Sequence, residues 1–260
     1  MMVLKYPVIL VHGIAVKQMR ALRAFGKIEK VLDAEGHMVY VADIDGFGTI
    51  ESNAEQLKNY VLNVLSKTGA EKVNIIAHSK GGLDTKYMIT ELGMEDKIAS
   101  LTTLCTPHRG SIIASWIWRL PMWMKRIIAF FINSFYKLCL KDEHPDAMRA
   151  CEQLMHVDES EETLAFSYNV YCQSYSTSLK RGRDCFLMAI PMKLYKHFEK
   201  LENDGMVSTE SAKFGNYRGH CLDISVSHVQ ITDLFSRRSQ KEKIYDFYKR
   251  LCNELAEMGY

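Results

Sequence analysis

Apolar runs of strand length alternate with helix-patterned segments along this chain, and few folds satisfy that alternation. The runs lie at 7–11 (PVILV), 38–42 (MVYVA), 73–77 (VNIIA), 100–105 (SLTTLC), 168–172 and 221–226. Strands without a polar face are buried on both sides, as in a parallel sheet covered by helices. Helical patterning over 17–34, 51–67, 80–93 and 240–258 supplies the covering layers, and Gly36, Gly69 and Gly93 stand where helix C-caps are expected. The expectation is an α/β fold with a doubly wound, mostly parallel sheet. With 260 residues, 47% of them hydrophobic, and no repeat or linker, a single domain spanning 1–260 is expected. From 111 to about 169 the strands stop and an aromatic-rich stretch takes their place, which reads as an insertion.

The run at 73–77 passes straight into "HSKGGLD", with Ser79 at the centre of a small-residue turn. A serine hydroxyl becomes a nucleophile when a tight strand-to-helix turn presents it to a general base. Such a turn tolerates only small side chains two positions before and after the serine, and Ala77 and Gly81 meet that demand, while Gly82 allows the helix to approach the sheet. The plainer reading is that Ser79 only caps the helix that follows. Position favours the nucleophile, because the other parts of an acyl-transfer site stand around it in order. Upstream, "LVHGIA" (10–15) ends a strand in His-Gly, a turn that can offer a backbone amide to an oxyanion, so the amides of Ile14 and Lys80 are the expected donors. Downstream, Asp204 lies in an Asn-Asp-Gly turn and His228 in the loop expected to follow the last strand, 221–226. That chain order, Ser then acid then His, suits His228 as base and Asp204 as the carboxylate that fixes its tautomer. Glu202, Asp184 and Asp223 are the rival acids, and His12 and His78 are read as structural.

"YPVILVHGI" (6–14), "VNIIAHSKGGLD" (73–84), "TPHRGS" (106–111) and "NDGMVS" (203–208), with the His228 loop, make the chain resemble bacterial triacylglycerol lipases of the α/β-hydrolase fold. The resemblance implies a catalytic triad of Ser79, Asp204 and His228, and a lid formed by the segment after "TPHRGS". Two features depart from the family pattern. Lys80 stands where an uncharged residue is common, and its side chain is expected at the pocket rim. Val229 and Gln230 follow His228 where many secreted members carry a calcium-binding aspartate, so neither structural calcium nor any other metal or cofactor is expected.

Between Ser111 and Lys141 there are five basic residues and no acidic one. At about 100° per residue, Arg126, Asn133, Lys137 and Lys141 share an arc of roughly 80°, with Ile127, Ile128, Phe131, Phe135 and Leu138 on other faces. The longest charge-free run, Ile127–Tyr136, has ten residues, against the ~20 that a bilayer span needs. A buried core helix and an interfacial lid both fit the pattern. The lid reading gives Trp116, Trp118, Trp123, Phe130 and Phe131 as lid or substrate contacts, with Pro121 as the break between two helices.

A net charge of +2 is too small to imply nucleic acid as a partner. The seven cysteines are odd in number and lack metal-ligand spacing, which suits a reducing compartment. "MMVLKYPVILVHG" reads as a first strand and poorly as a secretory signal. A cytoplasmic or peripheral-membrane protein is therefore expected, with export after loss of a signal peptide as the other case. The functional expectation is a serine carboxylic ester hydrolase acting on medium- to long-chain lipid esters. An acyltransferase or thioesterase using the same triad, and an inactive fold that binds lipid or a membrane surface, are the alternatives.

Overall fold

The computed structural model describes residues 2–15, 23–155, 170–181, 184–185, 188, 192–193 and 201–260. Six strands form one sheet: β1 (Val8–Val11), β2 (Val39–Val41), β3 (Val73–His78), β4 (Ile98–Leu104), β5 (Tyr171–Ser176) and β6 (Asn216–His220), in the order β2-β1-β3-β4-β5-β6 with every pairing parallel. The chain leaves β1 towards one edge, then returns to place β3 on the other side of β1. The loops after β1 and β3 therefore diverge at a topological switch point, where parallel sheets open a crevice.

Side-chain alternation along the central strands feeds two cores. Val8, Leu10, Ile76 and Leu104 point to a layer made by α1 (Ile28–Ala34) and the C-terminal helix (Arg238–Glu257), through Ile28, Leu32, Phe247, Tyr248 and Leu251. Ile9, Val11, Ile75 and Leu101 point the other way, onto α2 (Ile50–Thr68) and α3 (Lys80–Glu91). Each such fully buried aliphatic side chain contributes about 1.5–3 kcal/mol relative to exposure. Thr49 caps α2 by accepting from the Ser52 amide, and Gly69 closes it in a left-handed conformation.

Two expected strands are corrected. The run 221–226 is not a strand; it is irregular chain anchored at its two ends, with Cys221 and Val226 buried and their amides donating to the Ser176 and Ser178 carbonyls. The last strand instead precedes it as Asn216–His220, an edge strand whose partly exposed, polar sequence gives no apolar run. β5 extends to Ser176, beyond the expected 168–172, because its buried polar groups are satisfied in pairs: Gln173 donates to Thr102 Oγ1 at 3.0 Å and Ser174 to the Phe214 carbonyl at 2.7 Å. Positions 168 and 169 lie outside the described residues, as does 17–22 of the expected helix 17–34; within the rest of that span α1 covers only Ile28–Ala34.

Past β4 the chain makes an excursion of three helices, α4 (Ile112–Trp118), α5 (Met122–Cys139) and α6 (Ala147–Gln153), with Pro121 at the α5 N-cap. The Ser111 amide donates to the Leu154 carbonyl at 2.9 Å, so the excursion starts and returns at one point. It is pinned to the loop after β2, where the Asp45 carboxylate accepts from the Glu143 and His144 amides and Asp142 accepts from the Phe47 amide. Residues 156–169 of the expected insertion lie outside the described residues. The final helix is labelled α7 (Arg238–Glu257) below.

Candidate active site

The sharpest local constraint in the chain is at Ser79, which sits between β3 and α3 at φ 55° and ψ −133°. A left-handed φ is costly for a residue with a Cβ, and such strain persists only where packing over-determines it. Here the packing is visible. A Cβ at Gly81 would come within 2.4 Å of the His12 carbonyl oxygen, and one at Gly82 within 2.2 Å of Thr106 Oγ1. Gly13 lies so close that an added Cβ would stand 2.6 Å from Ser79 Cβ. The loop after β1 is thus in van der Waals contact with the serine.

Ser79 makes no side-chain cap bond to α3, so the helix-capping reading fails on geometry. Its Oγ stands 2.9 Å from His228 Nε2, and His228 Nδ1 stands 2.7 Å from Asp204 Oδ2. An ionised carboxylate only accepts, so Nδ1–H donates to Asp204 and Nε2 is left to accept the serine proton. Asp204 is itself held by the turn foreseen around it: its Oδ1 accepts from the Met206 and Val207 amides, both at 2.8 Å. The rival acids are elsewhere. Glu202 pairs with His220, Asp184 accepts from Ser225, and Asp223 is exposed. Behind the imidazole, His78 Nε2–H donates to the His228 carbonyl at 2.9 Å and its ring lies 4.6 Å from that of His228. The Lys80 amide is the first of α3 and has no intrahelical acceptor. Ile14 follows Gly13 on the β1 loop, and both residues therefore flank the serine.

Cys105, Asp204 and His228 bring a thiol, a carboxylate and an imidazole nitrogen within 4.8 Å of one another, the one described group of three or more spaced to hold a metal ion. Two of the three already bind each other at 2.7 Å, and the Cys105 thiol faces Thr177 Oγ1 at 3.3 Å, so the arrangement is complete as a hydrogen-bonded set.

The Lys80 side chain is not at a pocket rim. It is fully buried, and its Nζ binds Asp84 Oδ1 at 2.6 Å, while Asn53 Nδ2 donates to Asp84 Oδ2 at 3.1 Å. Burial pushes the Asp84 carboxyl up to about 6, against the pull of the ammonium beside it. The opposite charges four residues apart on a helix were a readable signal for this pair.

An apolar cavity of about 290 Å³ lies beneath the excursion, walled by Ile14, Ala114, Trp118, Ile128, Ala129 and Met206 among others. Ile14 and Met206 connect it to the serine and the Asp204 turn. On α5 the basic face drawn from sequence is exposed at Arg126 and Lys137, and much of the apolar face is exposed as well. Lys125 turns inward, its Nζ donating to the Trp118 carbonyl and lying 3.9 Å from that ring's centroid, and Asn133 accepts from the Ala147 amide. The large apolar side chains face outward: Phe130 is 66% exposed, Phe131 67% and Leu138 79%, with Trp123 and Ile127 alongside. This excludes the core-helix alternative. The five aromatic residues read as lid or substrate contacts all lie on α4 or α5; Trp118 lines the cavity, Trp116 does not, and Trp123, Phe130 and Phe131 do not because the inward face of α5 is taken by Lys125, Ala129 and Ile132.

Three histidines outside the Ser79 hydrogen-bond line are buried in ways that disfavour charge. Desolvation lowers the pKa of His37 and places His78 and His108 well below the usual imidazole value. His37 accepts from the Leu4 amide, and His108 stacks on Phe214 with Lys86 and Arg109 near. Groups with a depressed folded pKa take up protons on unfolding, so their stability contribution is complete above pH 6.5 and is lost as pH falls below it. Asp84 works in the opposite sense between about pH 6 and 4. With the Asp84 proton subtracted, a net uptake of at most about two protons corresponds to up to about 3 kcal/mol lost per pH unit. Urea midpoints should drop steeply from pH 7 to pH 5; a flat profile over that range would show these histidines to be charged in the fold.

A strained serine on the turn after the third strand of a parallel sheet, met by a histidine and a carboxylate from later loops, defines the α/β-hydrolase class. The family model described as "Putative serine esterase (DUF676)" matches residues 6–190, and the chain belongs to that family. It is 27% identical over 258 residues to triacylglycerol lipase 2 of Saccharomyces cerevisiae, covering 90% of this chain and 73% of that protein. It is 38% identical over 152 residues to a triacylglycerol lipase of Pseudarthrobacter phenanthrenivorans, covering 55% of this chain and 47% of that protein, so it spans about half the length of this bacterial relative. The crystal structure of Staphylococcus hyicus lipase superposes with a TM-score of 0.74 over 97% of this chain and 96% of that one at 14% identity, a likeness of fold.

Proposed function

We propose that this chain hydrolyses carboxylic esters of lipids by an acyl-enzyme route in which Ser79 is the nucleophile, His228 the base and Asp204 its orienting carboxylate. The observation that carries the reading is the unbroken line Ser79 Oγ, His228, Asp204 at 2.9 and 2.7 Å, beside an apolar cavity. Ser79 Oγ adds to the ester carbonyl as its proton passes to His228 Nε2. The oxyanion is held by the Ile14 and Lys80 amides, donors that gain most where charge develops. Collapse expels the alcohol, which takes the proton back from His228; water then repeats the sequence on the acyl-serine and restores the enzyme.

The cavity receives the acyl chain. Its wall is almost wholly apolar, which suits a medium or long acyl chain over a short one. The α4–α6 excursion acts as the lid over it. The outward Trp123, Ile127, Phe130, Phe131 and Leu138, with Arg126, Lys137 and Lys141 exposed nearby, suit contact with a lipid surface. Among the described residues no helix is long and apolar enough to cross a membrane.

The test is turnover of 4-nitrophenyl esters from acetate to palmitate by the wild type and by Ser79→Ala, with and without lipid vesicles. Activity absent from Ser79→Ala, with an optimum among the medium- to long-chain esters and a gain when vesicles are added, is expected. A folded wild type that hydrolyses no ester in either condition would remove the hydrolase reading, and ester exchange to an added alcohol in place of hydrolysis would make the enzyme an acyltransferase.

A further inference from the structure

We infer that Tyr136, on α5, is a positioning residue for the oxyanion loop, holding Ala15, and through it the Ile14 amide, in place beside Ser79. Ala15 is a non-glycine residue at φ 61°, a conformation that is uphill for an L side chain and needs outside support. Its two backbone groups supply the points of attachment. The Ala15 amide donates to the Gly46 carbonyl at 2.9 Å, and the Ala15 carbonyl accepts from the Tyr136 hydroxyl at 2.8 Å. The tyrosine is itself fixed. Its ring meets Phe47 edge-on with centroids 4.6 Å apart, and its carbonyl accepts from the Asp142 amide, while Asp142 Oδ2 accepts from the Phe47 amide. Phe47 and Gly46 belong to the same loop after β2, so one rigid corner grips both sides of Ala15.

On the other side, Gly13 is pressed against Ser79. Ile14 is thus the residue between a fixed contact with the nucleophile and a fixed contact with α5. An oxyanion donor acts through its position relative to an oxygen that exists only in the transition state. Loss of the Tyr136 hydroxyl leaves that donor present but poorly placed. The effect therefore belongs to kcat and not to substrate binding.

The inference rests on the ester-hydrolase reading, and its test separates the two. Wild type, Tyr136→Phe and Asn133→Ala are compared on 4-nitrophenyl butyrate in solution without lipid, together with binding of butylboronic acid. Boron accepts Ser79 Oγ to form a tetrahedral adduct, with the serine proton passing to His228, and so reports the oxyanion site directly. Tyr136→Phe keeps the ring packing on Phe47 and is expected to lower kcat about 10-fold, less than the ~10²–10³ for loss of a whole donor, with KM within about twofold and boronic acid affinity falling in parallel with kcat. Asn133→Ala removes a different α5 hydrogen bond, to the Ala147 amide, and is expected to show no such parallel loss. The inference is overturned if Tyr136→Phe matches wild type, if kcat falls while boronic acid affinity does not, or if Asn133→Ala reproduces the pattern. A wild type that neither turns over the ester nor binds the boronic acid overturns the hydrolase reading itself, and this inference with it.

Discussion

Asp204→Asn should lower kcat by about four orders of magnitude while leaving the fold and KM nearly unchanged. The reason is the tautomer. Asp204 Oδ2 accepts from His228 Nδ1 at 2.7 Å, and its Oδ1 is occupied by the Met206 and Val207 amides. An asparagine must keep its carbonyl oxygen on those two amides, which turns its NH₂ towards His228. Nδ1 then has to accept, the ring proton moves to Nε2, and Nε2–H faces Ser79 Oγ where an acceptor is needed. The imidazolium formed on proton transfer also loses its counter-charge. Under the proposed mechanism the three residues act as a unit, and Asp204→Asn combined with His228→Ala should then be no slower than His228→Ala alone. Full multiplicative loss in the double variant would show that Asp204 works separately from His228.

The second large effect is on stability. Asp84→Ala should destabilise the protein by about 3–5 kcal/mol, because the Lys80 ammonium is fully buried and Asp84 is its ionic partner at 2.6 Å. For a chain of this size that corresponds to a fall in Tm of roughly 10 °C or more. Lys80→Met should cost less at pH 6 than at pH 8, since Asp84, already titrating near 6, can answer the loss of the ammonium by taking a proton. The double variant Lys80→Met with Asp84→Leu should recover most of the stability, as apolar replacements of a buried pair often do. Thermal melts of the three variants at both pH values decide this; equal, small shifts for both single changes would mean that water reaches the pair.

Much of the site was legible because each part carries a local signature. The Ser79 turn declares itself by Ala77, Gly81 and Gly82, whose small size is demanded by contacts within a few ångströms. Asp204 is marked by its Asn-Asp-Gly turn, and that turn is what supplies its two amide donors. The edge strand Asn216–His220 was illegible for the converse reason: one side meets solvent, so no apolar run marks it, and the apolar run just after it, buried only at Cys221 and Val226, is irregular chain. In α5 the helical periodicity and the exposed basic face were legible, but which apolar side chains turn inward was not. A helical wheel separates faces but does not say which of them the rest of the protein covers, and Lys125 went in while Phe130 and Phe131 came out.

The parallel sheet, the presented serine and the chain order of the groups around it are written in local stretches of the chain, since strand burial and turn chemistry depend on neighbours a few residues away. Long-range packing is what brings His228 to Ser79 across 149 positions, turns Lys80 inward to Asp84, and carries Tyr136 to Ala15 across 121. Those contacts follow from the order of strands in the sheet and the seating of the excursion upon it. Both are set by the summed burial of whole surfaces, a quantity that no local stretch of sequence contains.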